Sequence, residues 1–292
     1  MVRGVVPRQP AKSGRHEGRA VAARAAQSRG SSRQPKDGAQ RRQVAAFARP
    51  RPKRELAIKP KPSKGGAYNP TSPERIQEIL KRLDQIYPGA TCALHHKNAW
   101  ELLVATILSA QCTDVRVNMV TPELFRKYPS PQHFAAINPE KLEPEIRSTG
   151  FFRNKSKSLV GAAKKLIGDH GGQVPDDMQH LLSLPGVARK TANVVLGTWF
   201  GKAEGVVVDT HVHRIARRLE LTRNDEPQKI EQDLMRVIPR EKWIIFAHQL
   251  IWHGRKLCLA RQPRCAECPL ENICHAADKT WSTVEIHKSA KP

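Results

Sequence analysis

From Ser72 onward, apolar residues recur at helical spacing and almost nowhere at strand spacing. Ile76, Ile79, Leu80, Leu83 and Ile86 fall three or four apart, which gives one helix an apolar stripe. Ser72 supplies an N-cap oxygen, and Pro73 suits the first helical position, where no N–H is needed. Asn98 and Glu101 form a capping pair ahead of a helix over residues 99–110. That helix is apolar nearly all round (Leu102, Leu103, Val104, Ile107, Leu108), which predicts a buried central helix. Ser130-Pro131 and Asn138-Pro139 repeat the cap-then-proline start. Leu159, Val160, Ala163, Leu166 and Ile167 give a further helix, stopped at Gly171-Gly172. Ala192, Val195, Leu196 and Trp199 mark another; Ile230, Leu234 and Val237, then residues 243–251, mark two more. Only Val206-Val207-Val208 reads as strand, and it is too short to found a sheet. The predicted fold class is all-α with short connections.

Charge narrows the partners. Residues 1–70 carry 18 Lys/Arg against Glu17, Asp37 and Glu55, a net +15; residues 71–292 are net +8. A basic body with a more basic tail favours polyanions, nucleic acid ahead of an anionic membrane surface. The longest apolar stretch, residues 102–110, is half the roughly 18 residues a membrane span needs and contains Thr106 and Ser109. An integral membrane protein is therefore not expected, and the N-terminus lacks the apolar segment of a secretory signal. The tail has Phe47 and Tyr68 as its only aromatics, too little apolar surface to offset ordering entropy, so it reads as disordered. It could tether DNA, solvate the chain, or serve as an organelle transit peptide, although its Pro and Gly interrupt any long amphipathic helix.

Two segments carry candidate chemistry. Residues 178–184 read as a short helix, followed by Leu184-Pro185-Gly186-Val187-Ala188 and a second helix beginning Arg189-Lys190-Thr191-Ala192. A tight turn leading into a helix N-terminus presents unpaired N–H groups and a positive dipole end, a phosphate-binding arrangement. Helix N-terminus and neighbouring cation both disfavour positive charge at Lys190, and a neutral lysine amine can attack carbon and form a Schiff base. The plainer alternative is a solvated or phosphate-pairing lysine. Asp209 precedes the helix opening Thr210-His211-Val212. It is either a simple N-cap or a carboxylate placed to stabilise positive charge on a sugar and assist proton transfer. His211, His213 and His253 read as structural or phosphate-facing, since no zinc-type spacing accompanies them.

Cys258, Cys265, Cys268 and Cys274 have the spacing C-x6-C-x2-C-x5-C. Four thiols packed this closely point to a shared ion or cluster in a reducing compartment. Zinc sites usually pair two short knuckles, and only one is present; bacterial ferredoxin spacing also differs, so spacing leaves zinc and iron–sulfur both open. Arg255, Lys256, Arg261 and Arg264 are interleaved with the ligands and could meet DNA phosphates. Cys92 and Cys112 read as buried small hydrophobes.

Taken in order, the hairpin Leu184–Ala192, then Val208-Asp209-Thr210-His211, then the four-cysteine loop closely resemble the endonuclease III family of the helix-hairpin-helix DNA glycosylase superfamily. The resemblance spans residues 72–277. It implies a two-lobed all-α fold: a six-helix lobe over residues 92–202 with the hairpin, and a cluster lobe combining residues 71–91 with 203–292. It implies a [4Fe–4S] cluster held by Cys258, Cys265, Cys268 and Cys274, a Schiff-base lysine at Lys190 and a catalytic aspartate at Asp209. Leu108-Ser109-Ala110-Gln111 is similar to the stretch ending in the glutamine that fills the gap left by an extruded base, and Phe151 falls where a second wedge is expected. Leu184, Gly186, Ala188 and Arg189 would meet DNA through the hairpin, and Arg255, Arg261 and Arg264 through the loop. Ala188 departs from the second glycine that many members carry, but a small residue retains the backbone N–H.

The implied activity is a bifunctional DNA glycosylase and AP lyase of base excision repair. It would act as a monomer on duplex DNA with damaged pyrimidines or abasic sites. The compartment is the cytoplasm with its nucleoid for a bacterial chain, with an organelle or nucleus left open by the tail. Two rivals stand beside it. A monofunctional adenine-mismatch glycosylase would lack the lysine and carry a long extra domain after the cysteines. A non-enzymatic DNA-binding module with a structural metal would bind without releasing a base.

Overall fold

Most polar residues that mark helix starts in the sequence serve as caps. The computed structural model describes residues 68–282, so the tail expected over residues 1–70 lies outside the described residues except for its last three. Ser72 Oγ accepts the Arg75 N–H at 3.4 Å and opens α1 (Pro73–Ile86). Asn98 Oδ1 accepts the Glu101 N–H at 2.8 Å and opens α2 (Ala99–Leu108). The Glu101 carboxylate reaches back to the Lys97 N–H at 2.7 Å, one residue earlier than in a reciprocal capping box. Ser130 does not cap α4 (Pro131–Ala136), because its hydroxyl is engaged with His133 Nδ1 at 2.8 Å.

One helix has no clear signature in the sequence. α3 (Asp114–Lys127) contains Pro122 and exposes Val115 and Met119, so its apolar pattern is broken; Thr113 caps it. Then come α5 (Pro139–Ile146), α6 (Phe152–His170), α7 (Met178–Leu182) and α8 (Arg189–Thr198), followed by α9 (Thr210–Arg218), α10 (Pro227–Val237) and α11 (Trp243–Lys256). α6 ends at Gly171 in the left-handed region, as the glycine pair predicts. Two expected stripe residues face outward: Ile167 on α6 and Trp199 just past α8. Val206-Val207-Val208 is buried but irregular, and the described residues contain no β-strand.

Two hydrophobic cores organise these helices. The first gathers buried residues from Leu94 to Leu196, with α2 fully sunk in it. The second combines Ile76–Tyr87 from α1 with Val206–Val208, α9, α10 and α11. Lys242, the residue before α11, and Gln249 of α11 both bond Asp84 of α1, at 2.9 Å each, which ties the earliest described α-helix to the last. Val194 of α8 packs against both cores. The chain thus crosses between cores in the stretch that runs from Lys190 to Asp209. No described helix is long and apolar enough to cross a membrane.

Candidate active site

The hairpin is shaped by what lies beneath it. Gly186 sits at φ +78°, and a Cβ there would lie 2.5 Å from Ser158 Cβ on α6, so both conformation and space demand glycine. Pro185 packs on Gly161 one turn further along α6. The N-cap of α8 is Ala188, which has no side-chain oxygen to offer, so the first-turn N–H groups of Arg189, Lys190 and Thr191 are left without intrahelical partners. The N–H groups of Gly186 and Ala188 take no hydrogen bond among the described residues. Leu184 is different: its side chain is buried in the first core and its N–H is spent on Leu181 O at 3.1 Å. Arg189 is also engaged, with Nε 2.8 Å from Glu231 Oε2, while Asn193 Nδ2 lies 2.8 Å from Glu231 Oε1. Glu231 belongs to α10 and is buried, so this pair fastens the hairpin to the second core. Gly205 makes room for it, since a Cβ there would fall 1.9 Å from Glu231 Oε1.

Lys190 and Asp209 line one solvent-open recess. Lys190 is exposed in the first turn of α8; Asp209 is half-buried at the N-cap of α9. One Asp209 oxygen is structural: Oδ1 accepts the His211 and Val212 N–H groups, both at 2.8 Å. Oδ2 takes no hydrogen bond among the described residues, so the plain N-cap and the catalytic reading use different oxygens of one carboxylate. Ser109 at the C-terminal end of α2 and His248, Trp252 and Arg255 of α11 complete much of the wall. Arg255 does not stand free for phosphate, because it pairs with Asp114 of α3 at 2.5 Å. Burial pushes the His248 and His211 imidazoles below the ordinary histidine value. His248 carries no functional signal in the sequence, where it reads as an interruption of an apolar helix.

Gln111 and Phe151 share an unusual backbone. Both are non-glycine residues in the left-handed region, at φ 54° and 48°, and both are exposed. Such residues are held in place only by surrounding structure, and they concentrate at functional sites.

The four cysteines line one cavity together with apolar side chains such as Ile215, Leu219 and Leu270 and with Arg218 and His253. Burial pushes the Cys268 thiol up to about 12 and raises Cys274, so these sulfurs need a cation to ionise. Arg218, which has no motif to mark it, donates to Cys258 Sγ at 3.2 Å and to Leu259 O at 2.7 Å. His253 is buried with Nε2 3.5 Å from Cys268 Sγ, a structural role as expected but against the cysteine cavity. Arg261 and Arg264 are exposed on the loop and form no ion pair among the described residues.

The endonuclease III of Synechocystis sp. is 52% identical over 204 residues, which covers 70% of this chain and 93% of that protein. The chain belongs to the endonuclease III family. The Bacillus subtilis endonuclease III is 45% identical over 207 residues, with 70% and 94% covered. Residues 104–240 match the HhH-GPD superfamily of base excision DNA repair proteins. A solved endonuclease III–DNA covalent intermediate, trapped with an estranged adenine, superposes with a TM-score of 0.67 at 44% identity, covering 70% of this chain and 95% of that one. A thermostable thymine-DNA glycosylase shares the fold at 21% identity and TM-score 0.62, with 69% and 95% covered. The chain is thus a DNA glycosylase of base excision repair, and DNA is its partner.

Proposed function

We propose that the protein is a bifunctional glycosylase and AP lyase, which releases oxidised pyrimidines from duplex DNA and cuts 3′ to the abasic site. One observation carries this reading: Lys190 and the free oxygen of Asp209 belong to different helices yet border one solvent-open recess. The amides of the hairpin and of the α8 N-terminus, with Arg261 and Arg264, suit DNA phosphates. A damaged base stacks weakly, so its extrusion costs less, and Gln111 and Phe151 would fill the gap it leaves. Lys190 Nζ attacks C1′ as the glycosidic bond breaks, and the base departs with the bonding electrons and takes its proton from solvent. Asp209 stabilises positive character on the sugar and accepts the proton that the amine gives up. The C1′–O4′ bond then breaks, O4′ takes up the second proton of the amine, and the resulting imine acidifies the C2′ proton. Its removal expels the 3′ phosphate, and water then frees Lys190. The relative whose complex with DNA was trapped covalently supports such an intermediate.

The cysteine cavity fits a [4Fe–4S] cluster. Four soft sulfur donors line it, the all-thiolate set that such clusters take. When bound, the cluster supplies metal–thiolate bonds that fix the loop. Cys258, Cys265, Cys268 and Cys274 would hold it, and the exposed arginines beside them would be presented rigidly to phosphates. The two cores support a division into lobes, residues 92–202 and residues 71–91 with 203–292. The enzyme would work as a monomer wherever the DNA is, in a bacterium the nucleoid.

The test is product analysis on a duplex with one oxidised pyrimidine. Wild-type protein should release the base and nick the strand. Lys190→Ala should bind an abasic-site duplex without nicking it. Base release by the wild type with no nick would overturn the lyase assignment.

A further inference from the structure

Lys155 is a buried cation that neither the hairpin nor the proposed chemistry uses. It lies in the first turn of α6, 5% exposed, and no carboxylate pairs with it among the described residues. Its Nζ donates to Leu108 O at 2.8 Å and to Thr149 O at 2.8 Å. Both acceptors are helix C-terminal carbonyls: Leu108 ends α2, and Thr149 ends the short 3₁₀ turn Arg147–Thr149. Such carbonyls lack partners within their own helices and sit at the negative end of the dipole, so a buried donor there is well matched. Each carbonyl also lies just upstream of a strained residue. Gln111 comes three residues after Leu108, Phe151 comes two residues after Thr149, and both adopt left-handed backbone. One buried amine therefore fastens the roots of two strained, exposed tips that are far apart in sequence.

We propose that Lys155 is a positioning residue for base extrusion, which holds the Gln111 and Phe151 tips at a fixed mutual spacing so that both enter the duplex together. This rests on the reading of Gln111 and Phe151 as the residues that fill the gap. Stability alone is a weak reason for a lysine here. Burial of an amine is costly unless its hydrogen bonds matter. Burial lowers the readiness of this lysine to hold its charge, and a neutral amine still carries two N–H groups for the two carbonyls. The effect should fall on the opening of the helix and much less on the attack at C1′.

Lys155→Met removes the donors at matched length; Lys155→Gln keeps a two-hydrogen donor. The rate of strand cutting is compared on a lesion paired in a duplex and on the same lesion in a single strand, where nothing must be opened. 2-Aminopurine beside the lesion reports unstacking. Lys155→Met should lose about tenfold more on the duplex than on the single strand, with the fluorescence rise slowed in step, and Lys155→Gln should recover part of the loss. Equal losses on both substrates, or a lower melting temperature with unchanged duplex rate per folded molecule, would make Lys155 merely structural. If Lys155→Met does not fold, the same ratio is read for Lys155→Gln and Lys155→Arg. Gln111→Ala and Phe151→Ala separate the two ideas. If neither changes the fluorescence, the gap-filling reading fails; if they do and the Lys155 variants do not, only the brace fails.

Discussion

Glu231 is the acceptor through which the hairpin is tied to the second core, and its removal has a calculable cost. Its side chain is 8% exposed and takes one N–H from Arg189 and one from Asn193, both at 2.8 Å. Glu231→Ala strands the Asn193 amide, which is buried; an unmet buried donor costs about 1–3 kcal/mol. It also frees Arg189, but that guanidinium is 40% exposed and water replaces much of the bond, so about 1 kcal/mol is a fair ceiling. Together they give about 3 kcal/mol, or a melting temperature lower by about 6–12 °C in a domain of this size. Glu231→Gln keeps an acceptor for Asn193 and turns donors toward Arg189, so about 1 kcal/mol and 2–4 °C are expected. Gly205→Ala should resemble Glu231→Ala, because its new Cβ would displace the carboxylate from 1.9 Å away. Thermal melting by circular dichroism on the intact protein ranks the three. Glu231→Ala within about 2 °C of wild type, or Gln as severe as Ala, would refute the reasoning.

The same geometry sets three further expected outcomes. Gly186→Ala should cost about 2–3 kcal/mol from positive φ and the clash with Ser158, and Ser158→Gly should restore only the clash part; urea unfolding reads both. His248 is held neutral by burial, so its folded pKa lies below the ordinary 6.5. Below that pH the unfolded chain takes up a proton that the fold refuses, and stability falls as pH drops; above it both states are neutral and the contribution vanishes. His248→Asn should flatten that acidic slope in denaturant titrations run from about pH 7 to 5. Anaerobically purified protein should be brown with absorbance at about 400 nm, and Cys265→Ser should lose that band; a colourless zinc protein would contradict the cluster.

Helix starts were legible because caps are local chemistry: Ser72, Asn98, Asn138 and Asp209 each bond an N–H two or three residues on. α3 was not, because Pro122 and outward-facing Val115 and Met119 break the pattern that periodicity detects. Lys190, Asp209 and the cysteines stood out as motifs, and the structure brings Lys190 and Asp209 to one recess and the cysteines to one cavity. The partners of those residues were invisible. Glu231 meets Arg189 across 42 positions and Arg255 meets Asp114 across 141, distances over which a sequence carries no local signal. Arg218 shares the last turn of α9 with Arg217 and has no motif to mark it, and only folding puts it against Cys258. Leu184 shows the opposite failure: a hairpin motif marks its position, but its amide is already spent inside the turn.

Mapping the site of covalent attachment tests the central idea most directly. Borohydride reduction of the protein on an abasic-site duplex, followed by digestion and mass spectrometry, should find the sugar remnant on the ε-nitrogen of Lys190. An adduct on another amine, or trapping that persists undiminished in Lys190→Ala, would contradict it.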